Sequence, residues 1–100
     1  MNNQITVFDN AELGKLRTVV VDSVVYFVGK DVAEILGYSN TRKAIKDHVD
    51  DEDKLTERIV MSGQGRDVTI INESGLYSLI LSSKLKAAKK FKRWVTSNIK

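Results

Sequence analysis

The hydrophobic period changes at Gly29, and this change constrains the fold more than any other feature of the chain. Before it, β-branched and aromatic residues come in short blocks: Ile5 to Phe8, Leu16 to Val21, and Val24 to Val28. Such blocks read as strands. The Asp22-Ser23 step joins the last two as a hairpin, although glycine is the better residue at such a turn. Their unbroken apolar character suggests strands lying against helices rather than open to water on one side. After Gly29, Val32, Ala33, Ile35 and Leu36 share one helical stripe, with Lys30, Asp31 and Glu34 largely outside it. Strand pairs mixed with helices of this size predict an α+β fold, small antiparallel hairpins packed with about four helices.

The remaining punctuation is equally local. Asp31 suits the positive end of its helix, and Gly37 supplies the left-handed stop. Tyr38-Ser39-Asn40 is a linker in which Ser39 or Asn40 caps a second helix, Thr41 to about Val49. That helix turns Ala44, Ile45 and Val49 inward, with His48 as a half-buried neighbour, and sets Arg42, Lys43 and Lys46 on the other face. Asp50 to Asp53 lacks the alternating ligands and turn glycine of a cation loop and reads as a solvated turn. Leu55 to Met61 and Val68 to Ile71 form a second hairpin around a glycine-rich tip, Ser62 to Arg66. That tip is no phosphate loop, since no helix and no Lys-Ser/Thr pair follow. Asn72 or Ser74 caps a third helix, whose apolar run through Leu81 is expected at the centre of the core. In the last helix Leu85, Ala88, Phe91 or Lys92, Val95 and Ile99 make the inner stripe, with Trp94 at its margin. Lys86, Lys89, Lys90 and Arg93 make the outer face.

One hundred residues allow one domain, 1–100, with one modest core. The chain ends at Lys100 with no cap, glycine or proline stop, which reads as a fragment of a longer protein. With no cysteine there are no disulfides, thiolate sites or cysteine nucleophiles. No membrane-spanning run or signal pattern stands out, which points to a cytoplasmic protein. A single histidine, and no paired ligands at metal spacing, give no footing for an enzyme, a metal or another cofactor.

Charge points to binding instead. From Lys84 onward there are seven Lys or Arg and no acid, whereas the first 83 residues carry nine bases and thirteen acids. A basic segment on an acidic body suits a polyanionic partner. The pair of short helices between Lys30 and Val49 has the size of a helix-turn-helix, whose second helix lies in a DNA major groove. In that geometry Arg42, Lys43 and Lys46 reach phosphates or guanine edges. Lys30 and the amides from Ser39 through Asn40 and Thr41 to Arg42 sit at helix starts, where phosphate is favoured. The second hairpin's tip serves as a wing, bringing Gln64 or Arg66 to a groove.

Three stretches add a family resemblance. They are Phe27 to Asn40 (FVGKDVAEILGYSN), Ile71 to Ile80 (INESGLYSLI) and Ala88 to Val95 (AKKFKRWV). Each resembles a signature of the BRO family N-terminal domain, found in phage antirepressors and large DNA viruses. The resemblance implies a small α+β DNA-binding domain, usually preceding a variable second domain. It implies double-stranded DNA as partner in a prophage-type transcription regulator of the bacterial cytoplasm. Lys86, Lys89, Lys90 and Arg93 are then added phosphate contacts. It also implies a rival reading, a module that engages a repressor protein. A homodimer would be needed to read palindromic half-sites, and nothing in the sequence specifies its interface.

Overall fold

A computed structural model describes residues 5–61, 63–85 and 87–98. Strands β1 (Ile5–Asn10), β2 (Gly14–Val21) and β3 (Val24–Val28) run as a meander into helices α1 (Gly29–Ile35) and α2 (Thr41–His48). A 3-10 turn (Asp51–Asp53) leads to the hairpin β4 (Lys54–Met61) and β5 (Gln64–Ile71), then to α3 (Glu73–Ser82) and α4 (Ala87–Asn98). The class is α+β, as expected. The two sets of strands are fused into one antiparallel sheet of order β1-β2-β3-β5-β4. The seam is short: β3 meets β5 only at Phe27 opposite Ile71 and Val28 opposite Ile70.

Strand alternation places apolar side chains on both faces. Leu16, Phe27 and Ile71 join Val32, Leu36, Leu76, Leu79, Phe91 and Val95 in the main core beneath the helices. Val19, Val28, Ile59 and Ile70 form a smaller cluster, on the opposite face by this alternation. The expectation that helices cover the whole β2–β3 hairpin is corrected at its far end, where Val20, Val24 and Val25 are 40–46% exposed. The turn beyond them holds Asp22 and Ser23 at φ of 50° and 67°. Left-handed backbone costs a residue with a Cβ about 1–2 kcal/mol, partly offset by the looser unfolded state of glycine. Ser23→Gly is therefore expected to stabilise by roughly 0.5–1 kcal/mol, raising the thermal midpoint by about 2–6 °C in calorimetry. An unchanged or lower midpoint would contradict this.

Helix ends follow the local chemistry. Gly37, at φ 82°, donates to the Glu34 carbonyl while Tyr38 donates to that of Ala33, a Schellman stop after α1. A Cβ on Gly37 would also lie 3.1 Å from Leu85 Cδ2, so Gly37→Ala is expected to cost about 1–2 kcal/mol in urea unfolding. Asn40, rather than Ser39, caps α2 by accepting from the Lys43 amide at 3.0 Å. Asn72, rather than Ser74, caps α3 through the Gly75 amide. The acidic run is the 3-10 turn, and Asp53 anchors the Asn72 side chain and amide.

Several expectations fail where tertiary position overrides composition. Leu81 is 84% exposed because the α3 stripe ends at Ile80. Leu85 is 46% exposed and precedes α4, which begins at Ala87. His48 is exposed and stands against the Tyr38 ring at 5.7 Å, outside the core. Arg66 lies within strand β5 opposite Ile59, because β5 already starts at Gln64, paired with Met61. Phe91 is fully buried, and Trp94 packs at the core's edge with its ring 6.2 Å away. Lys86 and Ile99 lie outside the described residues. Among the described residues, no helix is long and apolar enough to cross a membrane.

Candidate nucleic-acid interface

Between the helix pair and the β4–β5 ribbon lies an open groove of about 870 Å³. Lys30, Thr41, Arg42, Ile45 and Lys46 form its helical side. Lys54, Leu55, Thr56 and Arg66 through Thr69 form the strand side, and Arg17, Val28 and Asp51 complete it. The close approach of the two sides depends on Gly29, where a Cβ would sit 2.8 Å from Ile45 Cδ1 and 3.3 Å from the Thr69 carbonyl. Two bonds pin the turn between α1 and α2 from behind. The Tyr38 hydroxyl donates to the Leu79 carbonyl at 2.8 Å, and the Ser83 hydroxyl to that of Leu36 at 2.9 Å. Burial raises the Tyr38 hydroxyl above its ordinary pKa.

The groove wall is braced by an ion pair that local sequence does not reveal. Asp31 is only 9% exposed and accepts from the Arg17 amide at 3.0 Å, from its Nε at 2.8 Å and from Nη2 at 2.6 Å. This fork ties α1 to β2, and the bond to Asp31 holds the guanidinium above its ordinary pKa. Asp31 thus does far more than complement a helix dipole.

Pairing separates the groove cations into two kinds. Lys54 is held by Asp51 at 3.3 Å, and Arg17 by Asp31. Lys30, Arg42, Lys46 and Arg66 stand in no ion pair with a described acid. Arg66 does accept company from Gln64, donating to its Oε1 at 3.4 Å. At the start of α2 the amides of Thr41 and Arg42 have no intrahelical acceptor, so the helix adds partial positive charge on the same side. The arrangement can hold phosphate oxygens by hydrogen bonds and charge together.

Other residues expected to contact DNA lie outside the groove. Lys43 shares α2 but is outside the groove, its ammonium 2.8 Å from Asp47. That bond raises the Lys43 pKa and lowers that of Asp47. The Asn40 side-chain oxygen is occupied as the helix cap. On α4, Lys89, Lys90 and Arg93 are exposed and outside the groove, with Lys90 held by Glu12 at 3.0 Å. Arg17 and Lys54 line the groove although their sequence surroundings do not single them out. Arg17 reads there as one polar member of a β run, and Lys54 as the tail of an acidic turn. Among the described residues, no group of three or more His, Asp or Glu is placed to hold a metal ion.

Comparison with known proteins decides the family. Residues 15–100 match the BRO family N-terminal domain. The chain belongs to this family. A Bro-N domain-containing protein of Invertebrate iridescent virus 6, 289L, is 41% identical over 93 residues, covering 74% of this chain and 22% of the relative. A second from the same virus, 201R, is 33% identical, covering 95% of the chain and 27% of the relative. An uncharacterized protein of Haemophilus influenzae is 36% identical, covering 74% of the chain and 37% of the relative. The chain thus spans 22–37% of the length of these curated relatives. No solved structure matches it. The signatures that carried the resemblance, from Phe27 to Asn40, Ile71 to Ile80 and Ala88 to Val95, all lie within the matched region. In this BRO N-terminal domain the first of them builds the end of β3, α1, the turn and the cap of α2, and it carries Lys30 of the groove's helical side.

Proposed function

We propose that this BRO N-terminal domain is a duplex-DNA-binding module, without catalysis or cofactor, of an antirepressor-type transcription regulator. The observation that carries the reading is the convergence of Lys30, Arg42, Lys46 and Arg66 on one groove beside the open start of α2. Unpaired cations on a concave surface exist at a cost in mutual repulsion, which a polyanion relieves. Membership in a family associated with DNA binding in phage and viral proteins supports the same reading. On a random-sequence duplex all four meet backbone phosphates, and Arg42, at the start of α2, is the one that turns to a base edge at a specific site.

Fluorescence anisotropy with a labelled random-sequence duplex across a salt series tests this. Four phosphate-neutralising cations predict a slope of log K against log salt of about −3.6. Absent or salt-insensitive binding, with a repressor protein co-purifying, would favour a protein-interaction module. The exposed Asp50, Asp51 and Glu52, beside the groove's end at Asp51, would then be its contact surface.

A further inference from the structure

The groove leaves one strongly charged surface unused. Helix α4 carries Lys89, Lys90, Lys92 and Arg93 and no acid along its twelve residues. Lys90 is engaged by Glu12, in the turn between β1 and β2. Lys89, Lys92 and Arg93 are exposed and stand in no ion pair with a described acid. Lys92 lies with its ammonium 5.9 Å from the Tyr77 ring centroid, which leaves its charge uncancelled. At spacings of three and four residues these side chains line one face and rise about 4.5–6 Å along the axis.

The opposite face of α4 is sealed. Phe91 and Val95 are fully buried and Ala88 is 7% exposed, all in the main core. The helix therefore presents charge without a free apolar face. A bilayer-surface helix must sink its apolar face between acyl chains, and this one cannot. What the surface fits is a polyanion that needs no apolar contact, the sugar-phosphate backbone of a nucleic acid.

Its position separates it from the groove. The groove lies at the β5–β4 end of the sheet, beside α2. Helix α4 packs on α3 and reaches Glu12 at the β1–β2 end. Four strand spacings, about 19 Å, separate β1 from β4 across the sheet. Helix α3 also packs against α2, so it stands between α2 and α4 in the helical layer.

We infer that the outer face of α4, through Lys89, Lys92 and Arg93, binds the backbone of a second duplex, so that one domain bridges two DNA segments. The bridging rests on the groove reading for the first segment. The second contact reads no bases, since lysines on a flat helix face meet phosphates without entering a groove.

Sedimentation velocity with excess short random-sequence duplex at low salt gives the stoichiometry, and energy transfer between donor- and acceptor-labelled duplexes reports bridging. The intact chain is expected to take up two duplexes per protomer and to give transfer. A Lys89→Ala/Lys92→Ala/Arg93→Ala variant is expected to keep the first duplex with unchanged affinity and to lose the second together with the transfer. The salt slope of the second step measures the same three contacts, at about −2.7 in the intact chain. Saturation at one duplex per protomer overturns the inference. So does a triple variant that still bridges, or one whose first-duplex affinity falls, because α4 and the groove would then share one duplex. Tighter binding to phosphatidylserine vesicles than to DNA, lost in the triple variant, overturns it in favour of a lipid surface. Failure of the groove reading is distinguishable: Arg42→Ala/Lys46→Ala would leave the first duplex untouched.

Discussion

Replacing Arg42 and Lys46 with alanine is expected to lower affinity for a random-sequence duplex about 60-fold at ~0.1 M salt and about 20-fold at ~0.2 M. The shrinking difference is the signature. Each neutralised phosphate releases counterions, so each contributes about 0.9 to the slope of log K against log salt. Removing two of four contacts should halve that slope to about −1.8. A structural defect would lower affinity without this convergence at high salt. The neighbouring Lys43→Ala is the internal comparison. Lys43 is one residue from Arg42 and carries the same charge as Lys46, yet it is paired to Asp47 and stands outside the groove. Its loss is expected to change affinity less than about twofold, because an exposed cation already paired to a carboxylate releases little. Equal losses in Lys43→Ala and Lys46→Ala would mean that total charge, not the groove, governs binding.

The second large effect is on stability. Asp31→Ala removes the carboxylate that accepts from the Arg17 guanidinium and amide in a largely buried setting, with side chains 29% and 10% exposed for Arg17 and Asp31. Breaking a buried pair costs about 3–5 kcal/mol, and Arg17 recovers some of this by turning into the groove, so a net loss of about 2–3 kcal/mol is expected. With an m-value of about 1.5 kcal/mol/M, the urea midpoint should fall by roughly 1–2 M. Arg17→Lys keeps the charge but gives up the fork, and should lose about 1 kcal/mol. The double variant Arg17→Met/Asp31→Leu removes both charges at once. It is expected to recover most of the stability lost in Asp31→Ala, since apolar replacement of a buried pair is often neutral. A double variant as unstable as Asp31→Ala would show that packing around Asp31, not the loss of its carboxylate from Arg17, sets the cost.

Features decided by neighbours in sequence were legible in it. Gly37 after an apolar stripe, a cap at Ser39 or Asn40 before Thr41, and the inward set of Ala44, Ile45 and Val49 all follow from backbone chemistry within one turn. Arg42 and Lys46 share the groove because residues four apart share a helix face. Register and long-range pairing were not legible. Gly63 and Gly65 suggest a long turn with Arg66 at its tip, but the β4–β5 ladder continues to Met61 opposite Gln64. The apolar neighbours of Leu81 predict a core position, yet the buried stripe of α3 ends at Ile80 and Leu81 turns out to solvent. The Arg17–Asp31 fork spans fourteen residues and two element types, and neither residue's surroundings in sequence announce the other.

The most direct test of the groove as the DNA surface is amide chemical-shift mapping of the labelled chain with a short duplex at sub-saturating ratios. The first shifts are expected at Lys30, Thr41 to Lys46, Lys54 to Thr56 and Arg66 to Thr69, with α4 responding only as duplex approaches excess. First shifts confined to α4, or spread evenly over the surface, would contradict the groove.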